Sequence, residues 1–254
     1  MTLINLEYQT NHQIAIITLN RPEKHHALNE EMMNLLEDFL DRIEQKSETR
    51  VIIFTASGKE SFCAGGDLNY FAGLKTREQA KEMSLRMQNI LDRLWSGRHV
   101  VIAAINGQAL GGGCEVLTAC HFRIAVNSAL FSFRHAANGV ITGWGGGLRL
   151  FKILGHKALH LLLTAETIDA KIASNYGFVD ALVEEEALLP AATALATKII
   201  QNSPSAIEAF LELYRRSYTE TEESVRQFET GKFTDLWVGE DFRKWLQDYL
   251  KSQD

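Results

Sequence analysis

Phe62-Cys-Ala-Gly-Gly-Asp-Leu-Asn-Tyr-Phe-Ala-Gly73 and Asn106-Gly-Gln-Ala-Leu-Gly-Gly-Gly-Cys-Glu-Val116 are two small-residue stretches, each behind an apolar strand-like run. Both read as loops that run into helices. Glycine lets backbone approach a ligand closely and enter conformations barred to other residues. The first N–H groups of a helix are unpaired and carry partial positive charge, so such a site stabilises an anion. Two backbone donors from two loops, converging on one oxygen, make an oxyanion hole. The plainer alternative is a pair of tight turns, which is what glycine clusters often mark. Neither stretch is a P-loop, since no Gly-Lys-Ser/Thr follows, and neither makes a dinucleotide fingerprint.

Working outward from these loops, residues 3–8 and 13–19 read as two strands around a turn at Thr10-Asn11-His12. Asn29 is placed to cap a helix whose apolar positions Met32, Leu35, Leu36, Phe39, Leu40 and Ile43 follow helical spacing. Val51–Thr55 and Val100–Ile105 are short continuous apolar runs, the pattern of strands covered on both faces. Thr76-Arg-Glu-Gln79 resembles a capping box opening a helix to about Trp95. Short strands are expected near 122–126 and 129–133, before the glycine cluster Gly143-Trp-Gly-Gly-Gly147. From about Leu148 the chain reads as helical, with one strand near Phe178–Val183. Ser203-Pro204 has the form of a helix start. The strand–strand–helix rhythm of the first half predicts an α/β fold built from a repeated unit.

The 254 residues suit one large domain with or without an appendage, and 46% hydrophobic residues supply a substantial core. The formal charge of −6, with no basic stripe, argues against a nucleic-acid surface. The N-terminal stretch lacks the basic-then-apolar pattern of a signal peptide, and no run has membrane-spanning length. Cys63, Cys114 and Cys120 are an odd set without CxxC. They predict a reduced, cytoplasmic protein with neither disulfide nor zinc site. No metal-ligand spacing emerges among the histidines.

Three segments in register carry a resemblance: Arg21-Pro-Glu-Lys-His-His-Ala-Leu-Asn29, Phe62–Leu68 and Asn106–Glu115. Over most of residues 1–185 the chain resembles the enoyl-CoA hydratase/isomerase (crotonase) family. The resemblance implies a spiral of ββα repeats over residues 1–195 and a helical oligomerisation region over 196–254. It implies an acyl-CoA substrate, coenzyme A entering only as part of that substrate, and a homotrimer or a hexamer of paired trimers. By position, Gly66 and Gly112 correspond to the two N–H groups that hold the thioester oxygen. Lys24, Ala27 and Leu28 correspond to the segment along the CoA nucleotide, with Ala64, Asp67 and Leu68 also along the substrate. The hole implies an enolate-type intermediate without naming the reaction.

One position departs from the family. Hydratases of this family flank the bound water with two glutamates. The first corresponds to Glu115, and the second, twenty residues on, is His135. Imidazole in place of a carboxylate changes the pocket by about one charge and allows an ion pair with Glu115. The pattern Phe133-Arg-His135 with Trp144-Gly-Gly resembles ethylmalonyl-CoA decarboxylase-like members most closely. The expectation is therefore decarboxylation of a small malonyl-type CoA ester. Glu115 would handle the proton and His135 would bind the carboxylate or protonate carbon. Enoyl-CoA hydration of the β-oxidation type, thioester hydrolysis and a catalytically silent acyl-CoA binder are the alternatives, and a packed histidine is the alternative for His135. Arg134, if strand continues through it, faces the opposite side and is structural or at an interface. Trp144 reads as pocket wall or core. Cys63 and Cys114 read as space-filling rather than nucleophilic.

Overall fold

Ile14-Ala-Ile-Ile-Thr-Leu19 is β-branched and apolar, and in the computed structural model, which describes residues 2–251, it forms a buried strand. It is β2 (Ile14–Leu19), paired antiparallel with β1 (Ile4–Gln9) so that Ile4 faces Leu19 and Gln9 faces Ile14. The four-residue turn between them, Thr10 to Gln13, carries Thr10, Asn11 and His12 at φ of 51°, 51° and 65°. Helix α1 (Glu30–Glu44) follows, and Asn29 Oδ1 accepts the Met32 N–H at 3.0 Å. Met32, Met33, Leu36, Phe39, Leu40 and Ile43 form its buried stripe.

The same unit then recurs. β3 (Val51–Ala56) and β4 (Ser61–Cys63) lead to α2 (Leu68–Gly73) and α3 (Arg77–Ser96). The expected capping box closes the start of α3, with Thr76 and Gln79 bonding each other's backbone. β5 (Val100–Ile105) and β6 (Gln108–Leu110) lead to α4 (Gly112–Thr118), and β7 (Phe122–Val126) and β8 (Leu130–Ser132) lead to α5 (Gly146–Leu154). The chain continues through α6 (His156–Thr164), β9 (Ile168–Asp169), α7 (Ala170–Tyr176), β10 (Ala181–Val183) and α8 (Leu188–Ile200).

From the second repeat onward, each unit gives its first strand to one sheet and its second to another. The six-stranded sheet runs β1-β2-β3-β5-β7-β10, and the four-stranded sheet runs β4-β6-β8-β9. Strands β3 and β5 are buried along their whole length, which is why they read as unbroken apolar runs. In the smaller sheet β4 and β6 pair in parallel, Ser61 opposite Gln108 and Cys63 opposite Ala109. Parallel neighbours end at the same edge. The loops leaving β4 and β6 are the two glycine stretches, so this pairing sets them side by side.

The chain divides into two compact units between Thr197 and Lys198. The second contains α9 (Pro204–Arg216), α10 (Glu222–Trp237) and α11 (Glu240–Lys251). Ser203 Oγ accepts the Ala206 N–H at 3.3 Å and Pro204 takes the first helical position. Phe233, Trp237, Phe242, Trp245 and Tyr249 form a continuous aromatic run, ring against ring. No helix among the described residues is long and apolar enough to cross a membrane.

Candidate active site

The two glycine loops pack against each other closely enough to exclude side chains. A Cβ on Gly65 would lie 2.8 Å from Gly112 N and 2.9 Å from Leu110 O, and one on Gly113 would lie 2.0 Å from Cys63 O. Gly65 and Gly111 also take φ of +93° and +52°, conformations that favour glycine. Between these contacts, the N–H groups of Gly66 and Gly112 have no acceptor among the described residues. Two unpaired backbone donors thus come from abutting loops.

The first loop is pinned from behind. The Arg21 guanidinium bonds the Ala27 carbonyl at 2.9 Å and the Asp67 carboxylate at 2.6 Å. Asp67 in turn caps α2, accepting the Asn69 and Tyr70 N–H groups at 2.8 and 3.3 Å. Burial disfavours the Asp67 anion, but Arg21 and these two N–H groups outweigh it and hold the carboxyl below its ordinary value. Leu28 is buried and clamps the loop by its backbone. Its N–H donates to Gly65 O at 2.7 Å, and its carbonyl accepts from Asp67 N at 2.8 Å.

A cleft of about 470 Å³ runs along these loops. Lys24, Ala27, Ala64, Gly66, Asp67 and Leu68 line it, together with Gly111 and Arg134. Leu28 lies behind the wall rather than on it. Arg134 differs from expectation. β8 ends at Ser132, the His135 N–H turns back to the Phe133 carbonyl at 2.9 Å, and a 3₁₀ turn covers Ala136–Asn138. Strand alternation therefore stops before Arg134, and its side chain faces the cleft instead of the opposite side.

Glu115 sits on the short helix α4, 1% exposed. Four donors surround its carboxylate. Oε1 is 3.0 Å from His135 Nε2 and 3.3 Å from Gly143 N; Oε2 accepts from Trp144 N at 2.8 Å and Gly146 N at 2.9 Å. The glycine cluster at 143–147 is therefore a backbone cradle for this carboxylate. A Cβ on Gly146 would lie 2.4 Å from Glu115 Cγ, so the cradle closes only with glycine there. Buried Arg149 fastens it, donating to Trp144 O at 2.6 Å, Thr118 Oγ1 at 3.2 Å and Asp92 Oδ1 at 2.9 Å. Burial lowers the pKa of this guanidinium, against the opposing pull of Asp92 and Glu115.

Neither the cradle nor Arg149 was expected from sequence. The glycine cluster was visible as a turn signal, but backbone donors leave no mark of their target, and Arg149 reads as an ordinary helix residue. Trp144 is buried as expected: its indole lies over Gly112 and its Nε1 donates to Met83 Sδ at 3.3 Å. The Phe71 ring covers Gly66 in the same way.

The thiols do not join the site. Burial pushes Cys63 and Cys120 up to about 12 and raises Cys114 as well. A thiol so protonated is a poor nucleophile. Among the described residues no cluster of His, Cys, Asp and Glu is arranged to hold a metal ion.

The paired sheets, the abutting glycine loops and the cradled acid define a crotonase-fold protein. The model of the enoyl-CoA hydratase/isomerase family matches residues 9–254, and the chain belongs to that family. A short-chain-enoyl-CoA hydratase of Clostridium acetobutylicum is 31% identical over 254 residues, covering 100% of this chain and 97% of the relative. The ethylmalonyl-CoA decarboxylase of Mus musculus is 32% identical over 230 residues, covering 89% and 71%. The crystal structure of an enoyl-CoA hydratase from Bacillus anthracis superposes with a TM-score of 0.93 at 31% identity, covering 98% of this chain and 96% of that one.

Proposed function

We propose that this chain is an acyl-CoA lyase that gathers the charge of a thioester enolate on the Gly66 and Gly112 N–H groups. Within that class the reading is decarboxylation of a small malonyl-type CoA ester. The observation that carries it is the 3.0 Å pairing of Glu115 with His135, where hydration would call for two carboxylates around a water. Loss of CO2 requires no activated water. The bond to the carboxylate breaks, its electron pair stays as the enolate, and one proton is returned to carbon. Fixed donors at the enolate oxygen act on the charge that develops, and one such donor is typically worth about 3–4 kcal/mol. The cleft lined by Lys24, Ala27, Ala64, Leu68 and Arg134 is the path assigned to the CoA moiety, with Lys24 and Arg134 offering charge to its phosphates. The reading needs no cofactor beyond that CoA, and it takes the C-terminal helices as the contact region of a homotrimer.

Enoyl-CoA hydration is the second reading, and the full-length similarity to the Clostridium hydratase favours it. Crotonyl-CoA and ethylmalonyl-CoA, incubated in parallel and followed by mass spectrometry, separate the two. Loss of CO2 from ethylmalonyl-CoA with crotonyl-CoA inert is the expected result. Water addition to crotonyl-CoA with ethylmalonyl-CoA untouched makes the protein a hydratase and ends the decarboxylase reading.

A further inference from the structure

We infer that the proton-transfer atom of this site is His135 Nδ1, and that Glu115 is a positioning carboxylate that fixes the imidazole. This rests on the thioester-enolate reading above but not on the choice between decarboxylation and hydration. It takes from Glu115 the proton-handling role that family resemblance implies and gives it to one named atom of His135.

The argument is a count of lone pairs. An ionised carboxylate offers about four acceptor sites. On Glu115 all four are engaged, by the N–H groups of Gly143, Trp144 and Gly146 and by His135 Nε2. Three of those donors are backbone amides, which cannot turn away. A proton placed on either oxygen would displace one of them. Glu115 is thus built to accept and to stay, which suits an orienting group and not one that gains and loses a proton each turnover.

The same bonds decide the state of His135. Facing a carboxylate that only accepts, Nε2 carries hydrogen and donates. In neutral imidazole that leaves Nδ1 with a free lone pair. Nδ1 is buried and has no partner among the described residues. Buried polar atoms are satisfied in nearly all folded proteins, so an orphan marks a missing partner. Its neighbours in sequence, Arg134 and Asn138, line the cleft with Gly66 and Gly111. On the thioester-enolate reading, that partner is a group of the bound substrate. A carboxylate orienting an imidazole, whose other nitrogen moves the proton, is a recurrent catalytic arrangement.

The step balances as follows. For a saturated acyl-CoA, Nδ1 takes a proton from the α-carbon. The C–H electron pair becomes the enolate C=C, and the carbonyl oxygen takes the negative charge beneath the Gly66 and Gly112 N–H groups. The imidazolium formed is paired with Glu115 through Nε2. Reversal returns a proton, or a deuteron if Nδ1–H has exchanged with D2O. In decarboxylation only the return half operates: His135 first takes a proton from solvent onto Nδ1, CO2 leaves with the electron pair kept as the enolate, and Nδ1–H then delivers that proton to the α-carbon and is neutral again.

Exchange of the α-hydrogens of butyryl-CoA in D2O, read by mass spectrometry, isolates this step. His135→Gly is expected to slow exchange at least about 100-fold, the usual scale for a positioned acid–base group. Added imidazole should restore it at least tenfold when Glu115 is intact. No such restoration is expected in the His135→Gly/Glu115→Gln double variant, which lacks the orienting carboxylate. His135→Gln, which nearly fills the site, should be as slow as His135→Gly, and unchanged thermal melting shows that both variants fold. Exchange within about threefold of the unaltered protein in His135→Gln overturns the assignment, as does equal imidazole rescue in the double variant. Absence of exchange by the unaltered protein, with crotonyl-CoA and ethylmalonyl-CoA also inert, removes the enolate reading itself and this assignment with it.

Discussion

At Gly112 a single methyl group would lie 2.2 Å from the Trp144 ring. Trp144 cannot yield freely, because its backbone N–H holds Glu115 and its indole is bonded to Met83. Gly112→Ala therefore disturbs a donor of the hole and the cradle of the acid together. Overpacking of this kind costs about 1–3 kcal/mol, and the expected loss in kcat/KM on the preferred thioester is at least tenfold. Gly73→Ala is the control, since nothing lies within 4 Å of the added methyl. Equal kcat/KM in the two variants would remove the tight packing as the reason for glycine. At this scale much was legible: the glycines pointed to close approach, and Asn29, Thr76 and Ser203 to caps. The Glu115–His135 contact was reached only through family resemblance. Two residues twenty apart on a helix and a turn share no periodicity that would announce their meeting. Arg134 was misread because alternation was carried past the end of β8, where a 3₁₀ turn takes over.

At the scale of elements, long apolar runs announced the central sheet, while β4, β6 and β9 escaped notice. Two or three residues are too few to display alternation, and these strands exist because their neighbours offer ladder partners. Yet the smaller sheet, not the larger, brings the two glycine loops together. The junction of β4 with α2 depends on Asp67, which is both cap and partner to Arg21. Since its folded pKa is depressed, Asp67 contributes stability above the ordinary carboxylate value, and that contribution fades as pH falls through the folded value. Asp67→Asn keeps part of the cap and loses the ion pair. It is expected to lower stability by about 1–3 kcal/mol at pH 7, measured by denaturant unfolding. The gap to the unaltered protein should begin to narrow as pH falls past about 3.8, the ordinary carboxyl value, and close once pH passes the lower folded value and the anion is titrated away. A gap that stays constant into acid would show that the charge of Asp67 contributes nothing.

At the scale of the whole molecule, the two units bury their apolar residues very differently. In the first, the central strands β3 and β5 are buried along their whole length. In the second, helix α11 has no buried residue, and Trp237 and Trp245 stand 53% and 57% exposed. Five stacked aromatics on two helices are a large apolar surface for one chain to leave in water, and such surfaces mark interaction sites. The homotrimer proposed above gives them a cover and accounts for a feature that composition showed but could not interpret. Trp237→Glu with Trp245→Glu places two charges on that surface, where burial against a partner copy would be costly. The unaltered protein is expected to sediment as a trimer or as a hexamer of two trimers. The double variant should shift to smaller species while the far-ultraviolet circular dichroism stays unchanged. A variant that keeps its full mass would leave the aromatic run outside any subunit contact, and a monomeric parent protein would end the trimer proposal.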